Sequence, residues 1–320
     1  MRVLVTGGAG FIGSAVCREL KKRGYEVWVV DNLVAGSLEN IEGYYDEFCH
    51  AGIGSSEILK GVLSHVDYVL NLAAHPYIPY CYDRPLDFFQ TNASDSLTLF
   101  LGCIQAGVKR VIHYSSSEVY GTRLVPISET TPVNPQSTYA VSKLASDRLA
   151  KTLHREQDFP VIILRQFNCY GPRETHPYVI PEIMRQLKLI LNGKQKSLKL
   201  GNVKAERDFS YVEDAARVAC ELLEQQGDSL VGQEVNNGFG YPYSIEYIAK
   251  QCSLIAGVDF LKIAIESERL RPWDVNCLWC DDRKLRKALG DKRQKTGLVD
   301  GLTETWEWYT EAGRWSWENA

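Results

Sequence analysis

A short apolar run, Arg2-Val3-Leu4-Val5, leads straight into Thr6-Gly7-Gly8-Ala9-Gly10-Phe11-Ile12-Gly13. A buried strand that turns through glycines into a helix offers backbone N–H groups and a positive dipole end to a pyrophosphate. A second apolar run, Val27-Trp28-Val29-Val30, stops at Asp31, eighteen residues after Gly13. A carboxylate there can accept hydrogen bonds from both hydroxyls of an adenosine ribose, which selects NAD over NADP. Strand, turn, helix, strand and acid in this order leave a mere tight turn as the poorer explanation.

The same rhythm continues through the amino-terminal half. Tyr68-Val69-Leu70-Asn71-Leu72, Arg110-Val111-Ile112-His113-Tyr114 and Val161-Ile162-Ile163-Leu164 read as strands, separated by helical patterns over 14–23, 94–106 and 139–156. This is the βαβ alternation of a doubly wound α/β fold, a parallel sheet covered on both faces (Rossmann). After Asn168 the texture changes to prolines at 172, 177 and 181, a helix over 180–191, a turn at Asn192-Gly193 and shorter elements. The pattern implies a dinucleotide-binding domain over 1–166, with a returning segment near 208–236. A smaller substrate-binding region over 167–207 and 237–320 completes it. Four tryptophans, Trp306, Trp308, Trp315 and Trp317, are expected to hold a terminal helix against the domain.

Composition excludes several classes. A net charge of −4 lacks the basic excess of nucleic-acid binding. No apolar run approaches the roughly 20 residues that span a bilayer, and the chain opens on a strand rather than a signal peptide, so a cytoplasmic protein is expected. Nine cysteines, an odd number scattered through apolar segments, suit free thiols in a reducing compartment. Cys277 and Cys280 have metal-ligand spacing without a second pair, and His75 and His176 lack a carboxylate cluster, so no metal site is expected.

Tyr139 and Lys143 stand one helical turn apart, on one face of a single helix. An ammonium beside the phenol, with a positively charged nicotinamide ring, favours phenolate and makes Tyr139 a general base. The run Tyr114-Ser115-Ser116-Ser117-Glu118-Val119-Tyr120-Gly121 follows a strand, so it reaches the same sheet edge as the glycine loop. Ser116 can there hold a sugar oxygen opposite Tyr139.

With these pieces in view the chain resembles the extended short-chain dehydrogenase/reductases that modify nucleotide sugars, over nearly its whole length. The resemblance rests on the glycine loop, Asp31-Asn32-Leu33, Asn71-Leu72-Ala73-Ala74, Asn92, the serine segment, Tyr139 with Lys143, Arg165 to Pro172, Arg207 to Val212, and Arg271-Pro272-Trp273-Asp274. It implies Ser116, Tyr139 and Lys143 as a catalytic trio. It further implies NAD held by Gly7, Gly10, Phe11, Ile12, Gly13, Asp31, Asn32, Ile53, Leu72, Ala73, Ala74 and Asn92, together with Tyr139 and Lys143. Asn168 and Arg207 would hold the substrate diphosphate, and Arg271 and Asp274 would reach phosphate and ribose. A planar guanidinium suits a diphosphate, whereas a structural ion pair, with Asp208 or Asp214 for Arg207 and Asp274 for Arg271, is the competing reading of each arginine. Where the family usually has an acid before an apolar residue at the adenine ring, this chain has Gly52-Ile53, which leaves Ile53 and backbone groups for that contact.

The resemblance also frames the reaction. These enzymes oxidise a sugar at C4. An epimerase then returns the hydride to the other face, whereas a 4,6-dehydratase needs a carboxylate that removes the C5 proton before water leaves C6. Glu118 stands where the similar dehydratases carry that base, and Leu200-Gly201-Asn202 with Arg207-Asp208 also resembles the dehydratase branch. The dehydratases acting on thymidine nucleotides have an aspartate where Ser117 stands here, as it does in relatives acting on GDP-mannose. A 4,6-dehydratase is therefore the first expectation, ahead of a 4-epimerase, a uronic acid decarboxylase and a silent NAD-binding scaffold. Apolar stripes Leu97-Leu101-Ile104 and Leu144-Leu149-Leu153 match the family's homodimer helices, although burial within one chain explains the same pattern.

Overall fold

A computed structural model describes residues 1–174, 177–258, 262–270, 276–290 and 295–311. Its strands are β1 (Arg2–Thr6), β2 (Glu26–Asp31), β3 (Glu47–His50), β4 (Tyr68–Asn71), β5 (Arg110–Ser116), β6 (Val161–Gln166), β7 (Asn168–Tyr170), β8 (Leu198–Leu200), β9 (Glu206–Tyr211), β10 (Glu234–Asn237), β11 (Pro242–Ser244), β12 (Ile263–Ile265) and β13 (Cys277–Leu278). The helices are α1 (Phe11–Lys22), α2 (Ser56–Leu63), α3 (Ile78–Cys81), α4 (Pro85–Phe89), α5 (Ser96–Ala106), α6 (Thr138–Gln157), α7 (Val179–Leu191), α8 (Val212–Glu224), α9 (Ile245–Ile255), α10 (Arg283–Leu289) and α11 (Leu298–Thr310).

Seven strands form one parallel sheet in the order β10-β6-β5-β4-β1-β2-β3. Alternation along β1 sends Val3 and Val5 to one face, where α1 and α8 supply Ala15, Val16, Leu20, Val212 and Ala219. Leu4 faces the other way, onto Leu59, Leu63, Leu99, Phe100 and Ala150 from α2, α5 and α6. With both faces covered, the strands read as continuous apolar runs. The strand order reverses between β1 and β4, which opens a crevice at their carboxyl ends.

A second sheet joins β11, β9 and β13, with β7 also paired to β9, and β12 pairs with β8. Because β9 belongs to this smaller sheet, the chain returns to the large sheet only from Val212, through α8 and β10. Trp306 and Trp308 on α11 pack against the larger core, while Trp315 and Trp317 lie outside the described residues. All nine cysteines are free thiols, with Cys277 half-buried on β13 and Cys280 buried. Among the described residues no helix is long and apolar enough to cross a membrane.

Candidate active site

The glycine loop is built by close approach. Gly7 adopts φ +68°, and a Cβ there would lie 2.8 Å from the Ala73 nitrogen, while a Cβ on Gly13 would run into the Gly7 carbonyl. Only glycine satisfies both positions without shifting backbone. Thr6 Oγ1 donates to Asn71 Oδ1 at 2.7 Å, tying the ends of β1 and β4 together beside the loop. No side chain caps the start of α1, so its first amides face the crevice as an anion site.

Asp31 ends β2 on the same crevice, 7% exposed. Its oxygens already accept the Ala9 N–H at 2.9 Å and the Leu33 N–H at 2.8 Å. A carboxylate has about four lone-pair sites, so two ribose hydroxyls can still be accepted. Burial raises the carboxyl above its ordinary range, and the two N–H donors oppose that rise. Ile53 is buried, and with Gly52 it lines the far end of the crevice.

One expected cofactor contact moves off the wall. Asn92 is fully buried in a π-helical turn, Gln90–Asp95. Its amide accepts the His75 N–H at 2.8 Å, donates to the His75 carbonyl at 3.2 Å and donates to Ser142 Oγ at 3.0 Å. The side chain is therefore spent on fixing the backbone after Ala74 to α6, and Thr91 and Asp95 border the cleft instead. Asn92 is a support for the wall and not part of it.

The serine segment and α6 meet above the sheet edge. Ser116 ends β5, and its Oγ accepts the Glu118 N–H at 3.2 Å at the start of a one-turn helix, Ser117–Tyr120. Ser137 caps α6 by accepting the Ala140 N–H at 3.1 Å, which sets Tyr139 in the first turn. Ser116 and Glu118 flank the Tyr139 phenol on the cleft wall, the serine hydroxyl favouring phenolate and the carboxylate opposing it. Burial is the largest influence and pushes the phenol up to about 12. Lys143 is 4% exposed, donates to the Tyr114 carbonyl and is pushed down to about 8 by burial. Among the protein's own groups burial thus outweighs the phenolate-favouring effect expected of Lys143, whose ammonium is engaged by a carbonyl.

The opposite wall comes from the smaller sheets. Asn168 opens β7 and Arg207 lies on β9; both line the cleft. The Asp208 carboxylate accepts N–H groups from Phe239, Gly240 and Cys280 at 2.6–3.1 Å, and Asp214 accepts from Arg217 and Thr296. Arg271 and Asp274 lie outside the described residues. Over the top, Tyr178 Oη donates to the Pro76 carbonyl at 3.0 Å, and Tyr77 meets Tyr178 edge-on at 5.3 Å. These contacts close the loop 75–82 onto the start of α7.

The result is one cleft of about 540 Å³ between the two sheets. It is lined by Gly7, Gly10, Phe11, Ile12, Gly13, Asp31, Asn32, Ile53, Leu72, Ala73 and Ala74, and by Ser116, Glu118, Tyr139, Lys143, Asn168 and Arg207. Glu174, in a segment whose sequence places it over the sugar, also lines it, as do Glu182 and Arg269, to which the sequence assigns nothing. Glu182, an acid inside an apolar helix segment, was a readable signal. Arg269, which pairs with it at 3.1 Å, had none. Among the described residues no cluster of three or more His, Cys, Asp or Glu has the makings of a metal site.

Comparison with known proteins places these features in context. The family model described as GDP-mannose 4,6 dehydratase matches residues 4–305. The dTDP-glucose 4,6-dehydratase of Escherichia coli is 31% identical over 98% of this chain and 95% of its own length. The UDP-glucose 4-epimerase of Thermotoga maritima, solved with UDP-glucose, is 30% identical with a TM-score of 0.85, covering 97% of this chain and 98% of its own. The dTDP-glucose 4,6-dehydratase DesIV of Streptomyces venezuelae, solved with NAD and TYD bound, is 31% identical with a TM-score of 0.86, covering 98% of each chain. The chain therefore belongs to the GDP-mannose 4,6 dehydratase family, within the extended short-chain dehydrogenase/reductases that comprise nucleotide-sugar epimerases and dehydratases.

Proposed function

We propose that the chain is an NAD-dependent 4,6-dehydratase of a nucleotide-activated hexose. Residues 1–166 and the return from Val212 through β10 would hold the dinucleotide, and the rest of the chain the nucleotide sugar. The glycine loop, the uncapped start of α1 and the Asp31 carboxylate fit the pyrophosphate and adenosine ribose of NAD. Leu72, Ala73 and Ala74 would face its middle, Asn32 and Ile53 its adenosine end. When bound, NAD would supply a hydride acceptor at C4 of the sugar and a hydride donor at C6.

The protein's part is proton traffic and placement. Tyr139 takes the C4 hydroxyl proton as hydride departs, and Ser116, beside the phenol on the cleft wall, holds the same oxygen. Lys143, positively charged below about 8, stabilises the phenolate. Asn168 and Arg207 anchor the substrate diphosphate across the cleft, with Arg271 and Asp274 assigned to phosphate and ribose by family likeness. The 4-keto group acidifies the C5 proton, Glu118 removes it and passes it to the C6 hydroxyl, which leaves as water, and the resulting 5,6-alkene would take a hydride at C6 and a solvent proton at C5.

The observation that carries the dehydratase over the alternatives is Glu118, a carboxylate on the cleft wall close enough to raise the Tyr139 phenol. A 4-epimerase is the second reading, supported by relatives of nearly equal identity and by Ser117 beside Glu118. A decarboxylase of uronic acid sugars and a silent scaffold follow. Product analysis by mass spectrometry over UDP-, GDP-, CDP- and dTDP-hexoses tests this. A 4-keto-6-deoxy product, lighter by one water, is expected, and C4 epimers of unchanged mass from every substrate overturn it.

A cytoplasmic homodimer completes the proposal. Free thiols suit a reducing compartment. Leu86, Phe89, Leu101 and Val141 form an exposed apolar face along α4, α5 and α6, at 81%, 46%, 39% and 45% exposure. Such a face suits a twofold mate.

A further inference from the structure

Among the described residues, three buried acids on the cleft wall take no part in the proton traffic above, and of these Asp31 and Glu182 have hydrogen-bond partners whereas Glu174 has a buried oxygen without one. Glu174 is 4% exposed and lines the cleft. Its Oε2 is buried without a hydrogen-bond partner, as is Oδ1 of Asn168 on the same wall. Its place is fixed from outside, since Tyr309 Oη on α11 donates to the Glu174 backbone carbonyl at 2.6 Å. Burial first, and the proximity of Glu174 second, raise the Cys169 thiol and the Tyr309 phenol, so both neighbours stay protonated. Both neighbours are neutral groups at physiological pH. Burial alone raises the Glu174 carboxyl well above its ordinary range, with no cation or hydrogen bond opposing the rise.

A buried carboxyl group with nothing to satisfy it costs stability, and a protein keeps such a group where a ligand completes it. An ionised Glu174 would repel a diphosphate. The neutral acid has one O–H to give, and a phosphate oxygen is an acceptor that cannot donate to it in return. We propose that Glu174 is a ligand-contacting residue that, as a neutral carboxylic acid, donates a hydrogen bond to an oxygen of a bound diphosphate. The diphosphate is that of the nucleotide sugar or that of the dinucleotide, and the inference rests on the functional reading above.

The full chain carrying its NAD is titrated calorimetrically with UDP, GDP and dTDP, and the tightest of these is used on Glu174→Leu and Glu174→Gln. Losing a hydrogen bond to a charged group weakens binding about tenfold to a hundredfold, so Glu174→Leu is expected to fall by that factor. Glu174→Gln, whose amide still donates, is expected to stay within about threefold. If the loss appears instead as NAD released on desalting, with nucleotide affinity kept, the dinucleotide is the partner. Glu174→Leu removes an unpaired buried acid, so its melting temperature is expected at or above that of wild type. Unchanged nucleotide affinity and NAD content in Glu174→Leu overturn the proposal, as does Glu174→Gln falling as far as Glu174→Leu. A wild-type chain that binds none of these three nucleotides, nor CDP, overturns the functional reading along with it.

Discussion

Arg165 Nε donates to Asp147 Oδ2 at 3.0 Å in a pair whose side chains are 2% and 0% exposed, one helical turn beyond Lys143 on α6. The guanidinium also donates to Tyr120 Oη at 3.0 Å and reaches Glu234 at 3.4 Å, so the pair joins β6, α6, β10 and the turn that carries Glu118. Breaking a buried pair from one side costs about 3–5 kcal/mol, because the remaining charge is left uncompensated. Asp147→Asn is expected to lose about 3 kcal/mol in urea unfolding, and a loss under about 1 kcal/mol would contradict this.

Tyr139→Phe removes the phenol and keeps the ring, which meets Phe88 edge-on at 6.2 Å. General acid–base groups contribute typically about 10²–10⁴-fold, so turnover is expected to fall by that range while melting stays within a few degrees of wild type. Stopped turnover together with a collapsed melting curve would assign Tyr139 to structure instead. Steady-state rates and a thermal scan on the same preparation separate the two.

The pH profile follows from two groups. Tyr139, up at about 12, must lose a proton to act as base, so kcat/KM is expected to rise with pH through neutrality. Lys143, down at about 8, carries its charge below that pH and loses it above, so the rise is expected to level off near there. Arginine stays charged, so in Lys143→Arg the levelling is expected to vanish even if the overall rate is lower. A wild-type profile that is flat between pH 6 and 8 would contradict this assignment.

Much of the site was readable because it is local. The glycine loop spans one strand-to-helix turn, Tyr139 and Lys143 share one helix, and Ser116 with Glu118 closes one strand. What sequence could not show depends on distant partners. Asn92 reads as a cofactor contact, yet its amide is consumed by His75 and Ser142, the latter fifty residues on. Glu174 is fixed by Tyr309, 135 residues away, and Glu182 pairs with Arg269, 87 residues away, so neither burial was legible from neighbours. The weight of burial on Tyr139 was not legible either, since the depth of the pocket is set by the whole sheet edge.

The exposed face along α4, α5 and α6 gives a solution prediction. Light scattering is expected to return twice the chain mass of 36.1 kDa, and Leu101→Glu with Val141→Glu is expected to reduce it to a single chain. A wild-type mass of one chain at micromolar concentration would remove the dimer.

The account's central claim is that a 4-keto sugar forms beside Tyr139 and surrenders its C5 proton to Glu118. Turning over the preferred nucleotide hexose in deuterium oxide and reading C5 of the product by NMR tests this most directly. One deuteron at C5 of a 4-keto-6-deoxy sugar, abolished in Glu118→Gln, is the predicted result. A C4-epimerised sugar with protium retained at C5, formed equally well by Glu118→Gln, would contradict it.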